Sequence, residues 1–273
     1  MASITLSAGV RSNLLQLQQT SDLITSTQTK LATGKRVNSA LDNPNNYFTA
    51  QALDNRAGDL NNLLDGMSTA INTIGAANNG ITAITKLVQS AQSLTSQAKQ
   101  TTDTATRASL SSQFNDVLSQ IGTLAADSGF NGINLLDSND LTVTLNEDGS
   151  STTSVTGVDY TDVNSGDLGI ANSAGNWAAD TDIDAAATDL TAALATLRSQ
   201  SQTLGSSLST VQIRQDFTKA TINTLQAGSD ALTLADSNQE GANLLALQTR
   251  QQLSTTALSL ASQADQNVLR LFG

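Results

Sequence analysis

The stretch LDNRAGDLNNLLDGMSTAINTIGAANNGITAITKLV, residues 53–88, carries the strongest helical pattern of this 273-residue chain. Its apolar side chains recur in steps of four and three residues: Leu53, Ala57, Leu60, Leu64, Met67, Ile71 and Ile74. Polar Asn78 interrupts the series, which resumes at Ile81 and Val88. Such spacing keeps one helix face against a partner helix through many turns. The stretch therefore predicts a long helix from about residue 45 to residue 99.

A second series of the same kind lies near the other end of the chain. It comprises Leu190, Leu194, Leu197, Leu204, Leu208, Val211, Ile222, Leu225 and Leu232, with polar Ser201, Gln215, Thr218 and Ser229 in the skipped positions. We expect these two helices to pack antiparallel as a coiled-coil rod, with both chain ends on the same side. The predicted rod seam contains Leu53, Leu60, Leu64, Met67, Ile71, Ile74, Leu197, Leu204, Leu208 and Val211. The predicted fold class is mainly α.

The composition argues against an ordinary globular enzyme. Aromatic residues make up only 3% of the chain, and it has neither Cys nor His. This composition excludes disulfides, thiolate chemistry, imidazole bases and the commonest zinc ligands. We therefore expect no enzymatic activity, no cofactor and no metal.

The charge of the chain is unevenly distributed. Thirteen acidic residues and no Lys or Arg lie between Arg107 and Arg198, and the formal net charge of the whole chain is −11. Nucleic-acid binding would need the opposite sign on an exposed face, so we expect none. No apolar run is long enough to span a membrane, and the N-terminus lacks the pattern of a secretory signal.

The two ends of the chain carry narrow apolar stripes. At the N-terminus the stripe comprises Leu6, Val10, Leu14, Leu17, Ile24 and Leu31, with polar Ser21 and Gln28 in the alternate positions. At the C-terminus it comprises Leu253, Ala257, Leu260, Ala264, Val268 and Leu271. An isolated helix with so thin a stripe is marginal in water. We expect these helices to pair with each other and to become ordered when copies of the chain surround them.

The middle of the chain has a different pattern. A shorter helix is predicted around Leu110, Phe114, Val117, Ile121 and Leu124. Residues 130–177 read as a small β-hairpin region, since Leu141, Val143 and Leu145 alternate with threonines and Asp148-Gly149 supplies a turn. Beside that turn lies a hydroxyl cluster, Ser150, Ser151, Thr152 and Thr153.

Several motifs in this order resemble bacterial flagellin. They are Leu31-Ala-Thr-Gly-Lys-Arg-Val-Asn-Ser-Ala-Leu-Asp42, Asn55-Arg56, Asn79-Gly-Ile81, Phe130-Asn-Gly132, Leu234-Ala-Asp236 and Ala264-Asp-Gln-Asn-Val-Leu-Arg-Leu-Phe272. The resemblance covers nearly all of the chain outside the hairpin. It implies a short flagellin without the family's large outer domains, since only about forty residues separate the rod helices.

The resemblance also implies an organisation and a set of partners. Residues 1–44 and 236–273 would form the inner core of a helical filament, disordered in the monomer, and residues 45–235 would form the rod. The chain would be exported without a cleaved signal peptide to the extracellular flagellum. Its partners would be copies of itself, a flagellar export chaperone, hook–filament junction proteins and filament-cap proteins. Similar flagellins carry O-linked sugar on the outer surface, so Ser150, Ser151, Thr152 and Thr153 are candidate sites, although an unmodified polar loop fits the sequence equally well.

Two other functions fit parts of the sequence. A hook–filament junction protein would share the same termini but occur in few copies. A soluble coiled-coil adaptor would use its thin helices to bind the groove of a partner.

Overall fold

The structure, a computed structural model, describes residues 8–272, without the side chains of Asp265 and of residues 268–272. The described residues form five helices and a two-stranded antiparallel sheet: α1 Ala8–Thr33, α2 Pro44–Lys99, α3 Thr104–Ala126, β1 Leu141–Thr144, β2 Thr152–Val155, α4 Asp180–Thr233 and α5 Ser237–Phe272. A 3₁₀ turn, Gly175–Trp177, precedes α4. The predicted fold class, mainly α with long helices and a small β-hairpin, is confirmed.

The chain divides into two compact units. The first comprises Met1–Asn55 and Thr224–Gly273, and the second comprises Arg56–Asn223. The sequence placed the boundaries near residues 45 and 235. In the structure the first turns of α2 and the last turns of α4 therefore belong to the same unit as the terminal helices.

In the first unit, the segment after α1 pairs with the end of α4. Gly34 adopts a left-handed backbone with φ +68°, which ends α1. Its carbonyl accepts a hydrogen bond from Ala235 N at 2.9 Å, and Arg36 N donates to Thr233 O at 2.7 Å. Because the side chain of Val37 is buried as well, the connector is held by both backbone pairing and packing.

The connector then caps α2. Asn43 Oδ1 accepts a hydrogen bond from Asn46 N at 3.1 Å, and Pro44 is the first residue of the helix. Just before this cap, the carboxylate of Asp42 accepts from Asn38 N and Ser39 N, both at 2.9 Å. These backbone hydrogen bonds lower the pKa of Asp42. The observed range of α2, Pro44–Lys99, agrees with the helix predicted from about residue 45 to residue 99.

In the second unit, α2 and α4 run antiparallel. Lys99 forms an ion pair with Asp184, and Ser68 Oγ accepts a hydrogen bond from Gln215 Nε2 at 2.9 Å. As the residue number rises along α2, the number of the contacting residue on α4 falls, as expected for antiparallel helices. Of the predicted seam residues in this unit, Leu60, Met67, Ile74, Leu197, Leu204 and Val211 are buried, while Leu64, Ile71 and Leu208 are half-buried. Leu53, which belongs to the first unit, is half-buried as well.

The polar interruptions in the two series meet each other. Asn78 breaks the α2 series and Ser201 breaks the α4 series, and Ser201 Oγ donates to Asn78 Oδ1 at 3.0 Å. A buried polar group without a partner would cost about 1–3 kcal/mol. Both residues are half-buried, and this hydrogen bond gives the Ser201 hydroxyl and the Asn78 carbonyl a partner across the two helices.

One arginine joins the ends of three helical segments. The guanidinium of Arg107, on α3, is buried, and its Nε donates to Ala98 O at 3.2 Å and to Thr101 O at 2.7 Å. Its other nitrogens donate to Ala178 O at 3.4 Å and to the carboxylate of Asp180, the first residue of α4. The carbonyls at the end of α2 have no partner within their own helix, and Arg107 supplies one.

The hairpin is smaller than the predicted region. The sheet pairs Leu141 with Val155 and Thr144 with Thr152, so its two strands cover four residues each. The remainder of residues 130–177 forms turns and loops. Local polar contacts favour these loops over strands: Asp162 Oδ1, for example, accepts hydrogen bonds from Asn164 N and Ser165 N.

Two large aromatic side chains anchor those loops. Trp177 is fully buried, with its ring centroid 5.0 Å from that of Phe114, and it adopts a left-handed backbone with φ +57°. Tyr160 is also fully buried. Neither Tyr160 Oη nor Trp177 Nε1 has a hydrogen-bond partner among the described residues.

The Arg107 contacts predict a large effect of substitution. We expect Arg107→Met to lower the free energy of unfolding by about 3 kcal/mol, because several buried carbonyls lose their donor. Arg107→Lys should recover only part of the loss, since an ammonium cannot span the same acceptors. Denaturant unfolding followed by the fluorescence of Trp177, the only Trp of the chain, measures the effect. The control is Arg198→Met, at an exposed position, which should change stability by less than about 0.5 kcal/mol.

Tyr160 predicts an alkaline instability. Burial, with a smaller contribution from the charge of Asp167, raises the pKa of Tyr160 to about 12. In the unfolded chain the pKa of this phenol is about 10. The contribution of the neutral, buried Tyr160 to the free energy of unfolding is therefore fully present below pH 10, and about 2–3 kcal/mol is lost as the pH rises towards 12. Tyr160→Phe should remove this pH dependence and leave stability at neutral pH unchanged or higher. An equal alkaline loss in both proteins would contradict the prediction.

Candidate functional site

The terminal helices α1 and α5 pack against each other within the first unit. On α1, Val10 is buried and Leu17, Ile24 and Leu31 are half-buried. Helix α1 runs antiparallel to α5, because Lys30 Nζ near the end of α1 lies 3.8 Å from Glu240 Oε1 near the start of α5. The expected pairing of the two ends is present in the structure.

The residues that are buried between these apolar positions of α1 differ from the predicted ones. Ser21 and Gln28, which the sequence placed in the alternate positions, are exposed. Thr20 and Thr27 are buried instead, each four residues before an apolar position of the stripe. The Thr20 hydroxyl donates to Gln16 O at 2.8 Å, which satisfies it within its own helix. The α1 face is therefore a seam in which threonines alternate with aliphatic residues.

The face of α5 that is covered is a different one from the predicted stripe. The half-buried residues along α5 are Glu240, Gly241, Leu244, Leu247, Gln251, Ser254, Leu258 and Ala261. The predicted stripe residues Leu253, Ala257, Leu260 and Ala264 are exposed, Leu253 by 67% and Leu260 by 61%. Helix α5 therefore has two apolar stripes, one against α1 and one open to solvent.

The remaining predicted packing residues fall into two groups. Leu14 is exposed by 39%, and it lies on α1 near exposed Leu15. Leu6 lies outside the described residues, and the side chains of Val268 and Leu271 are among those not described. The residues proposed for subunit packing thus include some that pair within the chain and some that face solvent.

Exposed apolar side chains are concentrated in the first unit. Of the twelve exposed large hydrophobic residues that the structure describes, nine lie in it: Leu14, Leu15, Leu23, Leu41, Phe48, Leu234, Leu245, Leu253 and Leu260. This unit holds 6 basic and 7 acidic residues, a net charge of −1, whereas the second unit holds 7 basic and 17 acidic residues, a net charge of −10. A near-neutral surface with many exposed apolar side chains is a candidate protein–protein contact surface.

The candidate sugar sites lie at the hairpin turn. Ser150 and Thr152 are exposed, and Ser151 and Thr153 are half-buried. The Ser150 hydroxyl is engaged, since it donates to Asp148 Oδ1 at 2.7 Å. Within the same unit, Glu147 of this turn forms an ion pair with Arg56 of α2, so the turn is held against the helix.

The described residues contain neither a metal-ion cluster nor a membrane-spanning helix. Among them, no three acidic side chains converge closely enough to hold a metal ion. None of the helices, as far as the structure describes them, is long and apolar enough to cross a membrane.

Comparison with known proteins agrees with the sequence motifs. The model of the bacterial flagellin N-terminal helical region matches residues 8–140, and that of the bacterial flagellin C-terminal helical region matches residues 183–272. Flagellin FljK of Caulobacter vibrioides is 32% identical over 99% of this chain and 98% of its own length. A flagellin of Brucella melitensis is 27% identical over 100% of this chain and 99% of its own length.

A crystal structure of Bacillus cereus flagellin aligns with 57% of this chain and 88% of that chain, at 20% identity and a TM-score of 0.46. The two family matches together cover most of the chain, and its relatives share its full length. The chain belongs to the bacterial flagellin family, whose members are the structural subunits of the flagellar filament.

Proposed function

We propose that this chain builds the main flagellar filament and that the solvent-facing stripe of α5 is the contact between copies. The observation that carries the proposal is the exposure of Leu253, Ala257, Leu260 and Ala264 while the opposite face of α5 pairs with α1. A helix that presents apolar residues on two faces needs two neighbours. One of them is α1 of the same chain, and the other is supplied by further copies.

The energetics favour assembly from many weak contacts. Burying the exposed part of one leucine contributes about 1–2 kcal/mol, since full burial of the side chain contributes about 1.5–3 kcal/mol. One such contact is too small to offset the loss of translational and rotational freedom on association. A subunit that touches several neighbours sums many of these contacts, and faces that are not self-complementary extend into an open helix.

The proposed partners follow from the same role. We propose that an export chaperone covers the exposed stripe of α5 before assembly, because an apolar surface of this kind would otherwise promote premature association. Junction and cap proteins would bound the filament at its two ends. The chain would leave the cell by the flagellar export route, without a cleaved signal peptide, and function outside it.

We also propose that the hairpin turn carries O-linked sugar in the native source. Thr152 is the favoured residue of the four, because it is exposed and its hydroxyl makes none of the side-chain contacts that engage Ser150. Intact mass of native filaments checks this proposal, and a mass equal to that of the bare chain would contradict it.

The α5 stripe predicts a specific assembly defect. Leu260→Asp should prevent filament formation, because the subunit contact would bury an unpaired carboxylate. The second unit should stay folded, so circular dichroism and the fluorescence of Trp177 should match the unchanged protein. The measurement is sedimentation and electron microscopy at high protein concentration.

Two further variants sharpen the result. Ser259→Asp adds the same charge one residue away, about 100° around the helix, and should still polymerise. Leu17→Asp, on the half-buried seam between α1 and α5, should block filament formation as well, by separating the pair. Normal filaments from Leu260→Asp would rule out the proposed contact.

Copy number separates a filament subunit from a junction protein. A main filament protein should dominate sheared flagella from the native source, whereas a junction protein should be a trace component there. Quantitative mass spectrometry of purified flagella makes this comparison.

A further inference from the structure

Three basic side chains of the second unit have no ion-pair partner. The unit holds seven Lys and Arg residues, and four of them form ion pairs with carboxylates of the same unit. The other three are Lys86 on α2 and Arg198 and Arg214 on α4, and no carboxylate pairs with them among the described residues. Although the net charge of the unit is −10, these three positive charges are not neutralised by contacts within it.

Two of the three unpaired bases line one groove between α2 and α4. Ile81 and Leu197 are buried and form the apolar part of its lining. Lys86, Gln89 and Arg198 line it as well, and all three side chains are exposed. None of the described residues that line this groove is acidic. We name the surface formed by these five residues the basic groove.

Helix α3 carries one unpaired charge, Asp116. Its other charged residue, Arg107, is buried and bonded as described above. Phe114 marks the buried side of α3, and Asp116, two residues later, lies about 200° around the helix axis and is exposed. Ser112 and Gln120 lie four residues before and after Asp116 and are also exposed. We name Ser112, Asp116 and Gln120 the outer face of α3.

The basic groove and the outer face of α3 lie on different sides of the second unit. Gly80 of α2 faces the segment that follows α3, since a Cβ there would collide with Ser128. Gln89, in the groove, is nine residues after Gly80 and therefore lies about 180° around α2. The groove thus opens on the side of α2 away from α3, while Asp116 faces away from the core. Lys86 and Asp116 cannot pair within one chain.

The two surfaces also lie at the same height along the helices. Arg107 Nε donates to Ala98 O, which aligns these positions of α3 and α2. Helix α3 runs antiparallel to α2, because the segment after its last residue lies beside Gly80. Asp116 is nine residues after Arg107, and Gln89 is nine residues before Ala98, so Asp116 and Gln89 are level. Two copies of the same orientation, placed side by side, therefore bring the groove of one against α3 of the next.

We propose that the basic groove of one subunit receives the outer face of α3 from a neighbouring subunit, with Asp116 paired to Lys86 and Arg198. This inference rests on the proposed filament function and names a lateral contact in the second unit. The occupant is a second copy of this chain, since the opposite charges are unpaired within each copy and lie on opposite sides of it. A groove-to-groove contact would instead place bases against bases. A contact between two different surfaces repeats from copy to copy and extends an open polymer.

Charge reversal of the full-length chain tests the contact. The groove variant Lys86→Glu, Arg198→Glu and the face variant Asp116→Lys should each raise the critical concentration for polymerisation by about tenfold or more, because like charges then meet. The triple variant exchanges all three charges and should return the critical concentration to within about threefold of that of the unchanged chain. All three positions are exposed, so circular dichroism and the fluorescence of Trp177 should be unaltered in every variant.

Arg214→Glu is the matched control. It reverses the third unpaired base, which lies outside the groove, and should leave the critical concentration unchanged. Added to Asp116→Lys, it should not restore polymerisation, and restoration would show an effect of net charge and overturn the proposal. Reversed variants that polymerise like the unchanged chain would overturn it, as would a triple variant no better than the face variant.

A second measurement needs no substitution. Filaments assembled from a mixture of ¹⁴N-labelled and ¹⁵N-labelled copies are treated with a carbodiimide, which joins a lysine amine to a neighbouring carboxylate as an amide with loss of water. Mass spectrometry should find Lys86 joined to Asp116 between differently labelled copies. The ion pair of Lys99 with Asp184 is the internal control and should cross-link within one copy.

The outcomes separate this contact from the filament function. Filaments that give the Lys99–Asp184 product without the Lys86–Asp116 product would overturn the proposed contact and leave the filament function intact. Failure of the unchanged chain to form filaments would instead count against that function.

Discussion

The structure depends on how little apolar surface each helix can bury. Apolar residues recur at intervals of three and four along α2 and α4, and polar residues such as Asn78 and Ser201 take some of the positions between them. A seam of this width holds two helices together only over a great length, because each turn contributes about one buried side chain. The length of α2 and α4 is the consequence.

In the second unit, specific side-chain and backbone contacts add to the packing of the seam. Arg107 bonds the carbonyls at the end of α2 and reaches the first residue of α4, so that one side chain ties three segments together. Gly80 lets the chain after α3 approach α2, since a Cβ there would lie 2.2 Å from Ser128 Oγ. The buried rings of Trp177 and Phe114 hold the loop before α4. These contacts need no partner molecule, and they give this unit a core of its own.

The first unit lacks such devices at its terminal helices. The covered seam between α1 and α5 contains Thr20 and Thr27 where a stable coiled coil would have leucines, and the second apolar stripe of α5 is exposed. The same scarcity of apolar residues therefore has two outcomes. In the second unit the chain itself completes the core. In the first unit the exposed apolar surface is available to copies of the chain, as the proposed function requires.

Local pattern determined much of this protein from the sequence. The number and type of the helices, the range of α2 and the hairpin turn at Asp148-Gly149 all follow from spacing and turn residues, which act over a few neighbouring positions. Motifs spread along the chain pointed to the flagellin family. The length of the hairpin was overestimated, because aspartates such as Asp162 bond nearby backbone N–H groups and favour turns.

Which stripe of α5 faces α1 depends on contacts between residues that are far apart in the sequence. The stripe that includes Leu244 and Leu258 and the stripe that includes Leu253 and Leu260 both have spacings that fit a helix face. Helical periodicity cannot rank two faces of similar hydrophobicity. Which face is covered depends on the antiparallel placement of α1, the ion pair of Lys30 with Glu240 and the connector at Gly34. The acceptors of Arg107 lie up to 73 residues away in the chain, so no local pattern could reveal them. Residues distant in sequence meet only after folding, and these contacts determine which apolar surfaces remain for assembly.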